Sequence, residues 1–145
     1  MAAISVTQIG LGSDAETAFV QFGVAVSVGN SVYMDTSDSN KWKLADADST
    51  EATAGRDRVG IALHNCPADA YGIVVLSGTM YIDTLGASAK GTTFVVGSTA
   101  GAINPDSDSA STWYKTVLGV GGTESVTGTY DTFTLTPIVS GAVIA

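Results

Sequence analysis

FVQFGVAVSV, residues 19–28, is the stretch on which the fold turns. Val20, Phe22, Val24, Val26 and Val28 alternate with Gln21, Gly23, Ala25 and Ser27. Successive side chains of an extended strand point to opposite faces, so a period of two predicts a half-buried strand. Gly29-Asn30 then supplies a turn, and SVYMD at 31–35 follows as a second strand. Further along, apolar runs separated by turn residues predict strands at WKL 42–44, VGIAL 59–63, GIVVLSGTMYI 72–82, TFVV 93–96, WYKTVLGV 113–120 and TFTLTPIV 132–139. Gly78 predicts a bend or bulge in the longest of these. Pro137 cannot donate to a ladder, so its strand should end there or lie at an edge.

No segment carries a sustained 3.6-residue apolar period. The one helix candidate is a turn or two in DADSTEATAG, 46–55, with Asp48 or Ser49 as N-cap. Many short strands at even spacing predict an all-β fold, a single small β-barrel or sandwich of short antiparallel strands over residues 19–145. Residues 1–18 lack such patterning and are expected to form an extended N-terminal arm. The order of elements also repeats weakly. GNSVYMD at 29, KWKLADAD at 41, RVGIAL at 58 and GIVVL at 72 are followed by GTTFVVG at 91, GAINPDSD at 101, TVLGVG at 116 and TFTLT at 132. Gly60 and Gly119 are matched by this alignment, as are Ile73 and Phe133, so two pseudo-repeated halves are compatible with the chain.

Composition narrows function. The 145 residues suit one domain, and 45% hydrophobic against 14% charged residues excludes a charge-driven disordered chain. Six Lys and Arg face fourteen Asp and Glu, a net charge of −8. The cations are scattered, which argues against direct binding of nucleic acid or acidic membranes. No apolar run reaches the ~18 residues of a membrane-spanning helix. The N-terminal MAAISVTQIG lacks the basic region of a secretory signal, and a single cysteine, Cys66, allows no intrachain disulfide; assembly in a reducing cytoplasm is the expectation.

Chemistry-bearing residues are few. His64 and Cys66 in LHNCPAD could form a thiolate–imidazole pair, but no second histidine, resolving cysteine or nucleophile elbow accompanies them. One Cys and one His do not furnish a zinc site. The glycines of LGVGGTESVTG, 118–128, lack the Gly-Lys-Ser/Thr ending of a phosphate loop. DTSDSN at 35–40, DADSTE at 46–51 and PDSDS at 105–109 offer oxygen ligands for calcium, yet none has the EF-hand spacing, and solvated loops are the preferred reading. Sugar hydrolysis would draw its paired carboxylates from these same loops, with Trp42 and Trp113 the available aromatic platforms. Packing or an interface is the simpler use of both tryptophans. The chain is therefore expected to be no enzyme and to need no cofactor or metal.

GNSVYMDTSDSNKWKLADADSTEATAGRDRVGIAL, 29–63, resembles a pattern of small tailed-phage capsid proteins, in which a G-D-x-V-Y-x-D strand leads to K-V-K-L-A-D-A, an alanine-rich stretch and V-G-I-A. GIVVLSGTMYID resembles that family's V-x-V-x-x-x-G-x-V strand, GTTFVVGSTAGAI its G-T-x-Y-x-x-S-x-T-A-G-x-I hairpin, and TVLGVG its V-G-V-A strand. The likeness covers about residues 19–140. It implies a capsid decoration (cement) protein: a virion β-barrel, made in the bacterial cytoplasm, that sits on the outer capsid surface, binds the major capsid protein and other copies of itself, and favours a homotrimer. Under that implication Ile4, Val6, Ile9 and Leu11 of the arm, with Trp42 and Trp113, are the expected capsid or subunit contacts. A tail-fibre or baseplate β-domain for host receptor binding is the alternative, although fibres usually carry long repetitive stalks. A cellular β-sandwich module for carbohydrate or calcium is a further one.

Overall fold

The computed structural model describes residues 6, 8–50, 53–55, 58–82, 91–110, 112–126 and 130–143. Ten strands form: β1 Ile9–Leu11, β2 Glu16–Gln21, β3 Ser31–Asp35, β4 Lys41–Leu44, β5 Val59–Ala62, β6 Tyr71–Ile82, β7 Thr93–Val96, β8 Ile103–Pro105, β9 Tyr114–Val126 and β10 Tyr130–Val143. All of their pairings are antiparallel. The fold is all-β, as the alternation predicts, and a short 3-10 turn at Asp106–Asp108 is the helical element among the described residues. In the helix candidate at 46–55, the described residues 47–49 and 53–55 form turns instead. There Asp46 N–H donates to Thr53 O and Ala54 N–H to Thr50 O, while Thr50 and Thr53 exchange side-chain bonds. Threonine hydroxyls that compete for backbone groups favour turns over helices.

The strand order is β4-β3-β5-β6-β10-β9-β7-β8, with β1 and β2 added to β6. This order is palindromic. In the first half β3 pairs with β4 and β5, and β5 with β6; in the second, β7 pairs with β8 and β9, and β9 with β10. The repeat in the sequence thus corresponds to two four-strand units of one connectivity, joined where β6 meets β10. The matched glycines do not keep the same face. Gly60 pairs with Val32 of the outer core, whereas Gly119 pairs with Phe94 of the inner one. The likeness lies in connectivity, with a slip in register between the halves.

The sheet curls into a half-barrel, and backbone bonds outside the ladders tie its far ends together. Ser31 N–H donates to Gly101 O at 2.9 Å, Gly101 N–H to Ala45 O at 2.8 Å, Ala47 N–H to Gly97 O at 2.8 Å and Tyr114 N–H to Ala47 O at 2.6 Å. Ser31 Oγ donates to Ala102 O at 2.9 Å. The segment after β4 therefore bridges the β7–β8 hairpin and the start of β9. Inside the curl lies the main core, including Ile61, Val75, Met80, Ile82, Phe94, Leu118, Phe133 and Leu135, all fully buried. Phe94 and Phe133 meet with ring centroids 5.7 Å apart.

A second core lies on the other side of the first unit, where Phe22, Val26, Val32, Trp42, Ala62, Cys66 and Val74 are buried. The strand expected over 19–28 is corrected by this arrangement. Pairing with β6 stops at Gln21. Phe22 N–H then donates to Ala70 O, Gly23 N–H to Trp42 O, and Val26 exchanges bonds with Cys66. The chain leaves the ladder so that Phe22 and Val26 can roof the outer core. Their alternation reports burial correctly but not regular pairing. With apolar layers on both sides, all four residues of β5 are buried, which is why VGIAL shows no alternation.

The N-terminal lead-in also differs from expectation. Ile9 pairs with Ile82 and Leu11 with Met80, and β2 runs across the boundary placed at residue 18. The described part of the supposed arm is woven into the sheet. Pro137 lies inside β10, at a register shift against β9 between Leu135 and Ile138, and pairing with β6 covers only 131–135. It stands where β6 is no longer alongside, as an edge proline should.

Two expected outcomes follow from the packing. A chain beginning at Ala18 loses β1 and the start of β2, and should melt well below the parent in thermal circular dichroism. Thr116 is fully buried and its Oγ1 donates to the carbonyl of buried Ala54 at 2.5 Å. Thr116→Val keeps the shape and orphans that oxygen, so urea denaturation should show a loss of about 1–3 kcal/mol.

Candidate functional site

The residues singled out by chemistry are occupied with structure. His64 Nε2 accepts the Ile73 N–H at 3.0 Å, and Nδ1 lies 2.9 Å from Asn65 O. Only the neutral tautomer protonated on Nδ1 satisfies both, so the ring acts as one more rung between the ends of β5 and β6. A Cβ on Gly72 would come within 2.7 Å of this imidazole, so glycine is needed beneath it. Cys66 is buried in the outer core and bonds to Val26 through its backbone. Both ring nitrogens face backbone groups, so neither serves the cysteine as a base.

The acidic loops are organised by lysines and by their own backbone. Lys43 Nζ lies 2.8 Å from Asp35 Oδ2 and 3.0 Å from Asp38 Oδ2. Ser37 donates to Asp35 Oδ1 through both N–H and hydroxyl. The Lys43 and Ser37 bonds hold the Asp35 carboxyl down at about 2, against the usual 3.8, and raise the Lys43 ammonium. Asp46 is raised by burial and by its bond with Asp48. In the third loop Lys115 Nζ sits 2.7 Å from Asp106 Oδ1, and Asn104 donates to Asp108 at 3.1 Å. Among the described residues no three His, Cys, Asp or Glu side chains converge as a metal would need.

The expected contact residues divide. Trp42 is 2% exposed in the outer core and Trp113 is 8% exposed in the main core, so neither tryptophan forms an exposed interface. Burying a large ring in its own core is favoured by ~25 cal/mol per Å². Val6 sits directly over Gly29, and Val6 and Ile9 both pack on the main core. Leu11 remains 39% exposed, and Ile4 lies outside the described residues.

What the sequence reading missed is Phe19 and Tyr71. They are 73% and 60% exposed, and their rings stack with centroids 5.7 Å apart at 17°. Phe19 pairs with Ile73, and its strand neighbours Ala18 and Val20 turn inward against the outer core. The fold therefore compels Phe19 outward. The available signal was its register: Phe19 falls on the Gln21 side of the alternation, where polar residues belong.

Asp35 gives a pH test. Its carboxyl is depressed in the folded chain, so the associated stability is present above about pH 4 and is lost as pH falls toward 2. Asp46, raised instead, works in the opposite sense. The Asp35 and Asp38 partners of Lys43 are 15% and 46% exposed, so water screens the cluster unevenly. Lys43→Met should raise the Asp35 carboxyl toward its ordinary value in an NMR titration and cost about 1 kcal/mol at neutral pH.

No family model matches the chain, and no curated protein matches it.

Proposed function

We propose that this chain is a decoration (cement) protein of a tailed-phage capsid, binding the outer shell surface non-covalently and bracing it. The observation that carries the reading is where the phage-like segments meet. KWKLADA, 41–47, and GTTFVVGSTAGAI, 91–103, lie far apart in sequence, yet they supply the backbone bonds that tie the ends of the sheet: Gly101 to Ala45 and Ala47 to Gly97. The residues that resemble the capsid-protein pattern are thus the ones on which the curl depends, as expected if the likeness reflects a common fold. A self-supporting β-scaffold in which His64, Lys41, Lys43 and Lys115 are committed to structural bonds suits a protein that acts by contact. On a symmetric lattice many modest contacts add up, so each copy needs only moderate affinity. Homotrimers belong to the same proposal, since decoration proteins of this kind favour them.

A protein that binds the assembled shell and not its separated subunits stabilises the shell by mass action. Particles lacking it should release DNA at a lower temperature than complete ones, and adding purified protein should restore the release temperature. Unchanged release, together with a collapse of adsorption to host cells, would replace this reading with a receptor-binding tail domain.

A further inference from the structure

The loop between β5 and β6 is fastened to the sheet by a side chain that stands in for a backbone carbonyl. One position beyond the β5–β6 ladder, Leu63 N–H donates to Ile73 O at 3.1 Å. A hydrogen-bonded antiparallel pair returns that bond, from Ile73 N–H to Leu63 O. Here Ile73 N–H donates to His64 Nε2 at 3.0 Å instead, and Nδ1 lies 2.9 Å from Asn65 O. The imidazole is seated over Gly72, where a Cβ would come within 2.7 Å of its Cε1 and 3.0 Å of the Phe22 ring. His64 is the chain's single histidine and is half-buried, so water reaches it.

What this bond holds down is a flap of two segments, 22–28 and 64–70, that are bonded to each other. Val26 and Cys66 exchange backbone bonds, Val28 N–H donates to Asn65 Oδ1, Asp69 N–H to Phe22 O, and Phe22 N–H to Ala70 O. The flap carries Phe22, Val26 and Cys66 of the outer core. Gly23 N–H to Trp42 O and Gly29 N–H to Ala62 O tie the first segment to the sheet, and the His64 bond ties the second.

That last tie tolerates only an uncharged ring. A proton on Nε2 would set a donor against the Ile73 N–H, which would lose its acceptor. Among the described residues, no acid lines the ring's cleft to hold an imidazolium in place. Gln8, Ile9, Val28, Leu63 and Asn65 line it, and Phe22 touches the same glycine. Of the titratable groups on the elements around it, Cys66 is buried and Asp69 is paired with Lys41 at 3.4 Å. Tyr71 stands on the opposite face of β6 from Gly72. We infer that His64 is an acid-operated latch: a proton on Nε2 frees the 64–70 loop and opens the outer core while the rest of the sheet stays folded. The inference stands apart from the decoration reading and needs none of it.

Buried Cys66 reports the opening. The full chain is treated with dithiodipyridine, a disulfide that reacts with thiols in mild acid. The rate at Cys66 is divided by that of a cysteine in an unstructured peptide at the same pH, which removes the thiol's own titration. A free imidazole takes its proton near about pH 6.5, and the closed flap has no place for one. Opening should therefore grow about thirtyfold as pH falls from roughly 7.5 to 5. The rate ratio should rise by that factor while far-ultraviolet circular dichroism stays constant. His64→Gln, whose side-chain oxygen can accept from Ile73 N–H without ever charging, should give a ratio that does not change with pH. Imidazole nitrogen shifts by NMR at neutral pH should show the hydrogen on Nδ1 and a bare Nε2. A flat parental ratio, an equal rise in His64→Gln, or a hydrogen on Nε2 at neutral pH each overturns the latch. So does a rise accompanied by loss of the sheet's circular dichroism, since the proton then unfolds the chain and does not merely open the flap.

Discussion

One strand, β6, has to serve both halves of the sheet, and Gly78 makes this possible. Its first half lies between β5 and β2, and its second half pairs with β10 and β1. At the change of partners Gly78 takes φ +105°, a conformation that L side chains rarely adopt. A Cβ there would also come within 2.6 Å of Ala15 Cα and Asp14 O, where the chain turns from β1 into β2. The bend redirects the strand and admits the N-terminal segment against it. Asp14 then caps the junction, accepting from the Thr79 N–H at 3.0 Å and hydroxyl at 3.1 Å, and the Thr79 backbone bond lowers its carboxyl. Without that bend β6 could not leave the first unit to join the second.

The two units depend on this junction because β6 and β10 pair directly only from 78 to 82 and from 131 to 135. So short a seam would leave a hinge if nothing else joined the halves. The seam is therefore supported from two directions. On the inside, Met80 and Phe133 face each other across it, fully buried with Leu135 and Ile82. At the opposite ends of the sheet, the bonds among Ala45, Ala47, Gly97, Gly101 and Tyr114 close the curl. The free side of edge strand β4 is met by the segment after β2, where Gly23 N–H donates to Trp42 O at 2.8 Å, which limits the exposed ladder available for unwanted pairing there.

Much of this was legible in the sequence, and the failures have physical causes. SVYMD, TFVV and the bend at Gly78 could be read because apolar runs bounded by turn residues, and glycine chemistry, decide them. The departure of Phe22–Val28 from its ladder could not, since the alternation of a strand and that of an irregular segment roofing a core are the same. β8, only three residues and ending in Pro105, carries too little pattern to be seen alone. The lead-in was misread for a related reason. β1 is three residues long, and its pairing is set by β6, more than sixty positions away. The two tryptophans show the same limit at the level of sites: their residue type suits a core or an interface equally, and it is the curl of the sheet that takes Trp113 into the main core and the roof of Phe22 and Val26 that takes Trp42 into the outer one.

Phe19 and Tyr71 close the argument, because they are the place where local and global requirements diverge. Every other phenylalanine among the described residues, Phe22, Phe94 and Phe133, is fully buried. Phe19 could follow them only by shifting β2 one residue along β6, which would turn Ala18 and Val20 out of the outer core. Exposing one ring keeps two apolar side chains inside. That exchange explains how the sheet tolerates Phe19 outward, but not why an aromatic stands there, since a threonine would satisfy the same strand. Tyr71 repeats the choice on the neighbouring strand, at a position that also requires no ring. The two rings answer each other instead: stacked diagonally across the β2–β6 ladder, they form a cross-strand aromatic pair of the kind that stabilises a sheet by about 0.2–1 kcal/mol while remaining exposed.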